Sequence, residues 1–193
     1  INLPSTLTII GQDAFYRCVK LQEIEIPDSL TEIHRGAFMS CTALKDIVLP
    51  NGTTYIGDHA FSGCTGFTKI TLPDSITTLN GYVFDQCTNL TSINYPMSLT
   101  TSGYGNFRGC TKLTSITVPE GVTALPNNVF ADADCLTEIN LPSTLTIIGQ
   151  DAFYRCTGLT EIVLPKSLTT ISREAFSGCT GFISMILPDS ITT

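Results

Sequence analysis

The chain has 193 residues, is 42% hydrophobic and 14% charged, and carries a formal net charge of −7. It is apolar enough to bury a core and too apolar for disorder, and its acidity excludes the cationic surface that nucleic acids and anionic membranes require. No apolar run approaches the roughly 18 residues of a membrane span, so membrane insertion is not expected.

The N-terminus, Ile1-Asn2-Leu3-Pro4, has no initiator Met and no charged stretch leading into an apolar one, so a processed product or a piece of a longer protein is expected. From there the dominant signal is a repeat. Phenylalanine recurs every 23 residues at Phe15, Phe38, Phe61, Phe84, Phe107, Phe130, Phe153 and Phe176, and proline keeps the same period from Pro4 and Pro27 through to Pro165 and Pro188. Two ladders in register over the whole chain define a stacked array before any local propensity is considered.

Written from Leu21, the unit is Leu-x-x-Ile-x-Ile-Pro-x-Ser-Leu-Thr-x-Ile-x-x-x-Ala-Phe-x-x-Cys-Thr-x. Positions 4 and 6, Ile24 and Ile26 in the first copy, are two apart and share the inward face of a strand, which the proline at position 7 ends because it has no N–H to give. The apolar pair Leu30 and Ile33 predicts a second short extended segment, and the spacing of Ala37, Phe38 and Cys41 predicts a single helical turn. Complete copies start at Leu21, Leu44, Phe67, Leu90, Leu113, Leu136 and Leu159. The expected architecture is one repeat solenoid over residues 1–193, of about eight 23-residue coils: a partial repeat 1–20, complete repeats 21–181 and a partial repeat 182–193. A parallel β-sheet forms one face, with the extended segments and helical turns on the other. Residues 1–18 are identical to residues 139–156, six periods away, which points to recent duplication. Neither end carries a polar-faced capping repeat, so the array is expected to continue in a parent protein and the uncapped ends to associate end to end.

The 23-residue unit, with its Leu-x-x-Ile-x-Leu-Pro, Ala-Phe and Cys-Thr positions, resembles the BspA-like (Treponema pallidum-type) class of leucine-rich repeats across essentially the whole chain. It departs from the ordinary leucine-rich repeat at position 9, where Ser29, Gly52, Ser75, Ser98, Gly121, Thr144 and Ser167 stand in place of an asparagine ladder. The resemblance implies a cell-surface or secreted array, of the kind found on oral and gut bacteria, spirochaetes and some protozoan parasites, associated with adhesion to host proteins and other cells. The expected function is therefore a non-enzymatic protein-binding or adhesion module with a protein ligand. The alternatives are a structural spacer and an intracellular protein-interaction module.

No residue set suggests catalysis, a metal or a cofactor. The eight cysteines are even in number, but seven fall at one inward repeat position, a column of small buried thiols with parallel Cβ vectors unsuited to disulfides. Cys135 is the exception: Ala133 takes the ladder position, so Cys135 is expected to be the most exposed thiol. His34 and His59 sit at different repeat positions without partners at ligand spacing, and are read as surface residues. Asn51-Gly52-Thr53 and Asn89-Leu90-Thr91 match the N-glycosylation pattern. The repeat from Leu90 to Lys112 deviates most, with Tyr95, Ser102 and Asn106 at apolar positions. It reads either as a tolerated defect or as a bulge presenting Tyr95 and Tyr104.

The outward strand residues form the candidate interaction face. Coil by coil they are Gln22, Glu23 and Glu25; Lys45, Asp46 and Val48; Thr68, Lys69 and Thr71; Thr91, Ser92 and Asn94. They continue as Thr114, Ser115 and Thr117; Thr137, Glu138 and Asn140; Thr160, Glu161 and Val163. Threonine suits a half-buried pleated surface, and solenoids use such faces for protein partners. Val163, Ile183 and Ile186 make its C-terminal end apolar.

Overall fold

The structure, a computed structural model, describes residues 1–192. Among these residues twelve short strands occur: β1 (Ile9–Ile10), β2 (Glu32–Ile33), β3 (Tyr55–Ile56), β4 (Lys69–Ile70), β5 (Thr78–Leu79) and β6 (Ser92–Ile93). They are followed by β7 (Thr101–Ser102), β8 (Ser115–Thr117), β9 (Ala124–Leu125), β10 (Glu138–Asn140), β11 (Ile147–Ile148) and β12 (Thr170–Ile171). Every pair is parallel and every register is one repeat, as in Ile10 opposite Ile33 and Ile33 opposite Ile56. Each turn of backbone therefore lies over its own copy, and the chain is a parallel-stranded solenoid.

Hydrogen bonding is heavier on the second extended segment than on the first. The second segment forms a five-stranded ladder, β1-β2-β3-β5-β7, and a three-stranded one, β9-β11-β12, whereas the first segment pairs as β4-β6 and β8-β10 and by a single bridge between Asn2 and Glu25. Threonine adds a bond just before these second-segment strands. The Thr31 N–H and hydroxyl both reach the Thr8 carbonyl, at 2.8 and 3.1 Å, and Thr77, Thr100, Thr146 and Thr169 repeat the pattern. Between the two segments each proline carbonyl accepts from the residue three later, as Pro27 does from Leu30 at 3.0 Å, so the proline that ends one strand also closes the turn into the next. The position-9 hydroxyl crosses to the preceding coil, Ser29 Oγ to the Leu7 carbonyl at 2.7 Å and Ser167 Oγ to the Leu145 carbonyl at 2.5 Å. A short hydroxyl thus links coils where an asparagine ladder is missing.

The Ala-Phe-x-x-Cys stretch differs from the helical turn its spacing suggests. It is a succession of tight turns bracketed by left-handed residues, Gly36 (φ 63) and Ser40 (φ 61) in one coil, Tyr82 (φ 60) and Gln86 (φ 58) in another. Left-handed residues cannot sit within a right-handed helix. Their orientation instead turns alternate N–H groups toward the next coil: Gly36 to the Asp58 carbonyl, Phe38 to Ala60 and Ser40 to Ser62, at 2.7 to 2.9 Å.

The phenylalanines fill the interior as one stacked column. Phe38, Phe61, Phe84, Phe130 and Phe153 are essentially inaccessible. Neighbouring ring centroids lie 5.1 Å apart at Phe15–Phe38 and 5.0 Å at Phe153–Phe176. The spacing widens to 6.1 Å at Phe84–Phe107 and 6.3 Å at Phe107–Phe130. This widening marks a seam. Among the described residues, no lateral backbone-to-backbone hydrogen bond joins the coil starting at Leu90 to the coil starting at Leu113. Part of the cause is Pro126: its counterparts Gly103 and Gly149 donate N–H to the preceding coil at 2.8 and 3.0 Å, and proline has none to give.

Two polar replacements in the irregular repeat beside the seam are internally matched. Ser102 and Asn106 replace apolar residues but bond each other, Asn106 Nδ2 donating to Ser102 Oγ at 3.1 Å, while Asn106 Oδ1 accepts from the Val83 N–H at 2.9 Å. Tyr95 is buried, 5% exposed, with its ring 6.2 Å from Phe130. That corrects the bulge reading for Tyr95, because position 6 faces the core whatever occupies it. Tyr104 is half-buried.

Candidate functional site

The residues of the candidate face, from Gln22 and Glu23 at one end to Thr160 and Glu161 at the other, are all exposed, while the residues between them at positions 1 and 4, such as Leu44, Ile47, Leu136 and Ile139, are buried. The strand alternation places them, and stacking aligns them into rows running across the coils. Val48 and Val163 interrupt the polar rows and are 76% and 83% exposed.

Two grooves cut this face. One, of about 480 Å³, lies between the coils starting at Leu44 and Phe67 and is lined by Lys45, Asp46, Val48, Lys69 and Thr71 among others. The other, of about 670 Å³, lies between the coils starting at Leu136 and Leu159, with Glu138, Asn140, Glu161 and Val163 in its walls. Both occur where the first-segment sheet is interrupted, since residues 45–49 and 160–164 belong to no strand. The coils remain bonded through the second segment and the turns, as in Asn80 N–H to the Ile56 carbonyl and Thr169 N–H to the Thr146 carbonyl. The grooves were not legible from periodicity, which treats all coils alike.

A second, half-buried feature runs along the turn edge. His59 stacks on Tyr82 at 5.0 Å, Tyr82 meets Tyr104 at 6.1 Å, and Tyr104 meets Tyr154 at 6.1 Å. Arg108 lies 5.1 Å over the Tyr82 ring and forms a two-pronged bond to Asp85, Nε to Oδ1 at 2.8 Å and Nη2 to Oδ2 at 3.1 Å. The hydrogen bond to Asp85 holds the Arg108 guanidinium above its usual range, and burial with a hydrogen bond to Asp132 pushes the Tyr104 phenol up. The rings stack on one another and Arg108 pairs with Asp85, so the edge is a stiffening ladder, although the buried His59 Nδ1 has no hydrogen-bond partner. Both histidines are half-buried: His34 bonds Glu32 at 2.8 Å, and His59 is held by its stack.

The cysteine column is a hydrogen-bonded one. Cys41 Sγ donates to the Phe15 carbonyl, Cys64 to Phe38, Cys87 to Phe61, Cys110 to Phe84 and Cys156 to Phe130, at 3.0 to 3.2 Å. All eight cysteines are free thiols. Cys135 is half-buried, as are Cys18 and Cys179 in the end coils. Its thiol reaches, at 3.9 Å, the Phe107 carbonyl that a cysteine at position 133 would serve. Burial raises Cys41 and Cys135 to about 11 and raises Cys64, Cys87 and Cys110 further. Cys179 is lowered and Cys156 raised by the interaction of their two thiols. Among the described residues no group of three or more His, Cys, Asp or Glu is placed to hold a metal ion, and no helix is long and apolar enough to cross a membrane. Of the two glycosylation patterns, Asn51 is exposed, whereas the Asn89 side-chain nitrogen is engaged by the Thr65 carbonyl at 2.8 Å.

A family model described as BspA type leucine rich repeat region matches residues 1–111, 31–159 and 123–193, which together span the whole chain. The chain belongs to the BspA-type leucine-rich repeat family. Among solved structures, this BspA-type chain is similar to the T. pallidum leucine-rich repeat protein, with 33% identity and a TM-score of 0.71 over 82% of this chain and 77% of that one. It is also similar to a leucine rich cell surface protein from Faecalibacterium prausnitzii A2-165, with 26% identity and a TM-score of 0.55 over 96% of this chain and 65% of that one. A third likeness, to a pneumococcal vaccine antigen (PcpA), has 23% identity and a TM-score of 0.60 over 99% of this chain and 51% of that one, and bears on the fold alone. No curated protein matches the chain.

Proposed function

We propose that this BspA-type chain is a non-enzymatic protein-binding or adhesion segment of a cell-surface or secreted protein, and that the exposed strand rows are its contact surface. The observation that carries the reading is the coincidence of those rows with two open grooves on one face, since a surface serving only for solubility needs no such relief. The cell-surface relative from Faecalibacterium prausnitzii supports the location. The test is binding of the purified chain to immobilised extracellular-matrix protein and to intact host cells, before and after the residues at Lys45, Lys69, Glu138 and Glu161 are changed to alanine. Binding lost on substitution supports the face, binding retained refutes it, and no binding by the parent chain favours a spacer.

We also infer end-to-end association. The C-terminal coil leaves its core-row residue Leu187 54% exposed next to an open sheet edge, beside the outward-facing Ile183 (93%) and Ile186 (84%). Sedimentation of the chain over a range of concentrations is expected to show a rising average mass that Leu187→Lys abolishes. A monomer at all concentrations refutes it.

A further inference from the structure

The larger groove has features that specify an occupant. In a parallel ladder, successive residues aim their backbone groups at opposite neighbours. Glu138 N–H donates to the Thr114 carbonyl at 3.1 Å and the Val118 N–H to the Asn140 carbonyl at 2.9 Å, so Glu138 and Asn140 turn toward the preceding coil and the backbone of Ile139 turns toward the groove. On the opposite wall, none of residues 160–164 makes a backbone hydrogen bond among the described residues. One wall is therefore the free edge of β10 and the other a stretch of unbonded backbone, between coils that stay bonded elsewhere.

The groove is also one-signed. Glu120, Glu138 and Glu161 line it, and no lysine or arginine does, Lys166 lying one residue beyond the lining Pro165. Glu120 accepts from the Ser143 N–H and hydroxyl, each at 2.9 Å, and Glu138 accepts from Asn140 Nδ2 at 2.9 Å, whereas Glu161 has no side-chain partner among the described residues. Glu138 and Glu161 occupy the same repeat position one coil apart, a like-charge pair that a cation would relieve. Val163 adds an exposed apolar contact in the same wall. The smaller groove is different, with Lys45 and Lys69 opposing Asp46.

We propose that the Glu138–Glu161 groove binds an extended, lysine- or arginine-bearing polypeptide segment by strand addition. The segment's backbone pairs with the free edge at Ile139 and with the unbonded backbone of Glu161 to Val163, and its cations meet Glu138 and Glu161. The proposal rests on the strand face being the binding face and adds the class of partner and its mode.

The test uses a short, end-capped peptide alternating lysine and valine as the probe, with amide hydrogen exchange and fluorescence titration on the full chain. Bound peptide is expected to slow exchange at Ile139, Glu161 and Val163 and to leave Lys69 and Thr71 unchanged. The double variant E138K/E161K, on two exposed positions that leave the core intact, is expected to weaken binding by about tenfold or more. The same peptide N-methylated at alternate residues loses binding to the same degree, because it retains the charge and cannot pair. Absence of peptide binding overturns the proposal. So does equal binding by the N-methylated peptide or by the double variant, or binding without protection at the three amides. Whole-protein binding that persists in any of these cases leaves the strand face standing and removes only this mode.

Discussion

Removing one ring from the phenylalanine column is the most direct test of stacking. Phe61 is fully buried, with Phe38 at 5.4 Å, Phe84 at 5.8 Å and Phe67 edge-on at 5.8 Å. Phe61→Ala removes on the order of 120 Å² of buried apolar surface, about 3 kcal/mol at roughly 25 cal/mol per Å². Lost ring contacts add about 1 kcal/mol, for a total near 4 kcal/mol, inside the range of about 3–5 kcal/mol for such truncations. Phe176 is half-buried in an end coil, so Phe176→Ala is expected to cost about half as much. The assay is urea unfolding followed both by circular dichroism and by alkylation of the buried Cys64, because a solenoid need not unfold in one step. A cost below about 1.5 kcal/mol at Phe61, or an equal cost at Phe176, refutes the column as the source of stability.

The other predictions address single groups. The Tyr95 hydroxyl is buried with no hydrogen-bond partner, so Tyr95→Phe is expected to raise stability by about 1 kcal/mol, and a lower urea midpoint would contradict the burial. Mass-spectrometric footprinting with iodoacetamide should label Cys179 first, Cys18 and Cys135 next, and Cys64, Cys87 and Cys110 last. Early labelling of Cys87 would overturn the packing of the column. Alkali should destabilise the fold: the buried thiols are raised above the ordinary value of 9.0, so their contribution is complete below that pH and is lost as pH rises through about 11 for Cys41 and Cys135. Cys179, being lowered, has the opposite sign and offsets a part. A urea midpoint that stays flat through that interval refutes the assignment.

Much was legible in the residues because each inward position repeats. The Phe and Pro ladders define the register, and the one-repeat pairings of Ile10 with Ile33 and Ile148 with Ile171 reproduce it. The outward triplets such as Thr137, Glu138 and Asn140 are exposed as alternation requires. The turn segment was less legible. The spacing of Ala37, Phe38 and Cys41 is compatible with a helix, and only the backbone of Gly36 and Ser40 shows otherwise. Two coils on, Gly36 and Ser40 are replaced by residues as unlike as Tyr82 and Gln86 in the same left-handed conformation, so residue type carries little of that signal. Cys135 shows the same limit, since its place outside the ladder is written in the sequence while its reach back to the Phe107 carbonyl is not.

By itself, the sequence determined the period, the inward and outward positions and the family, because these follow from which side chain recurs at which step. Only the tertiary structure decided where neighbouring coils are bonded, where the strand face opens into grooves and where the seam falls. The physical reason is that coil-to-coil bonds join groups about one repeat apart, so each depends on how a whole turn of chain sits on the next rather than on local preference. Pro126, with no N–H to offer across the seam, is the one place where that long-range outcome can be traced to a single residue.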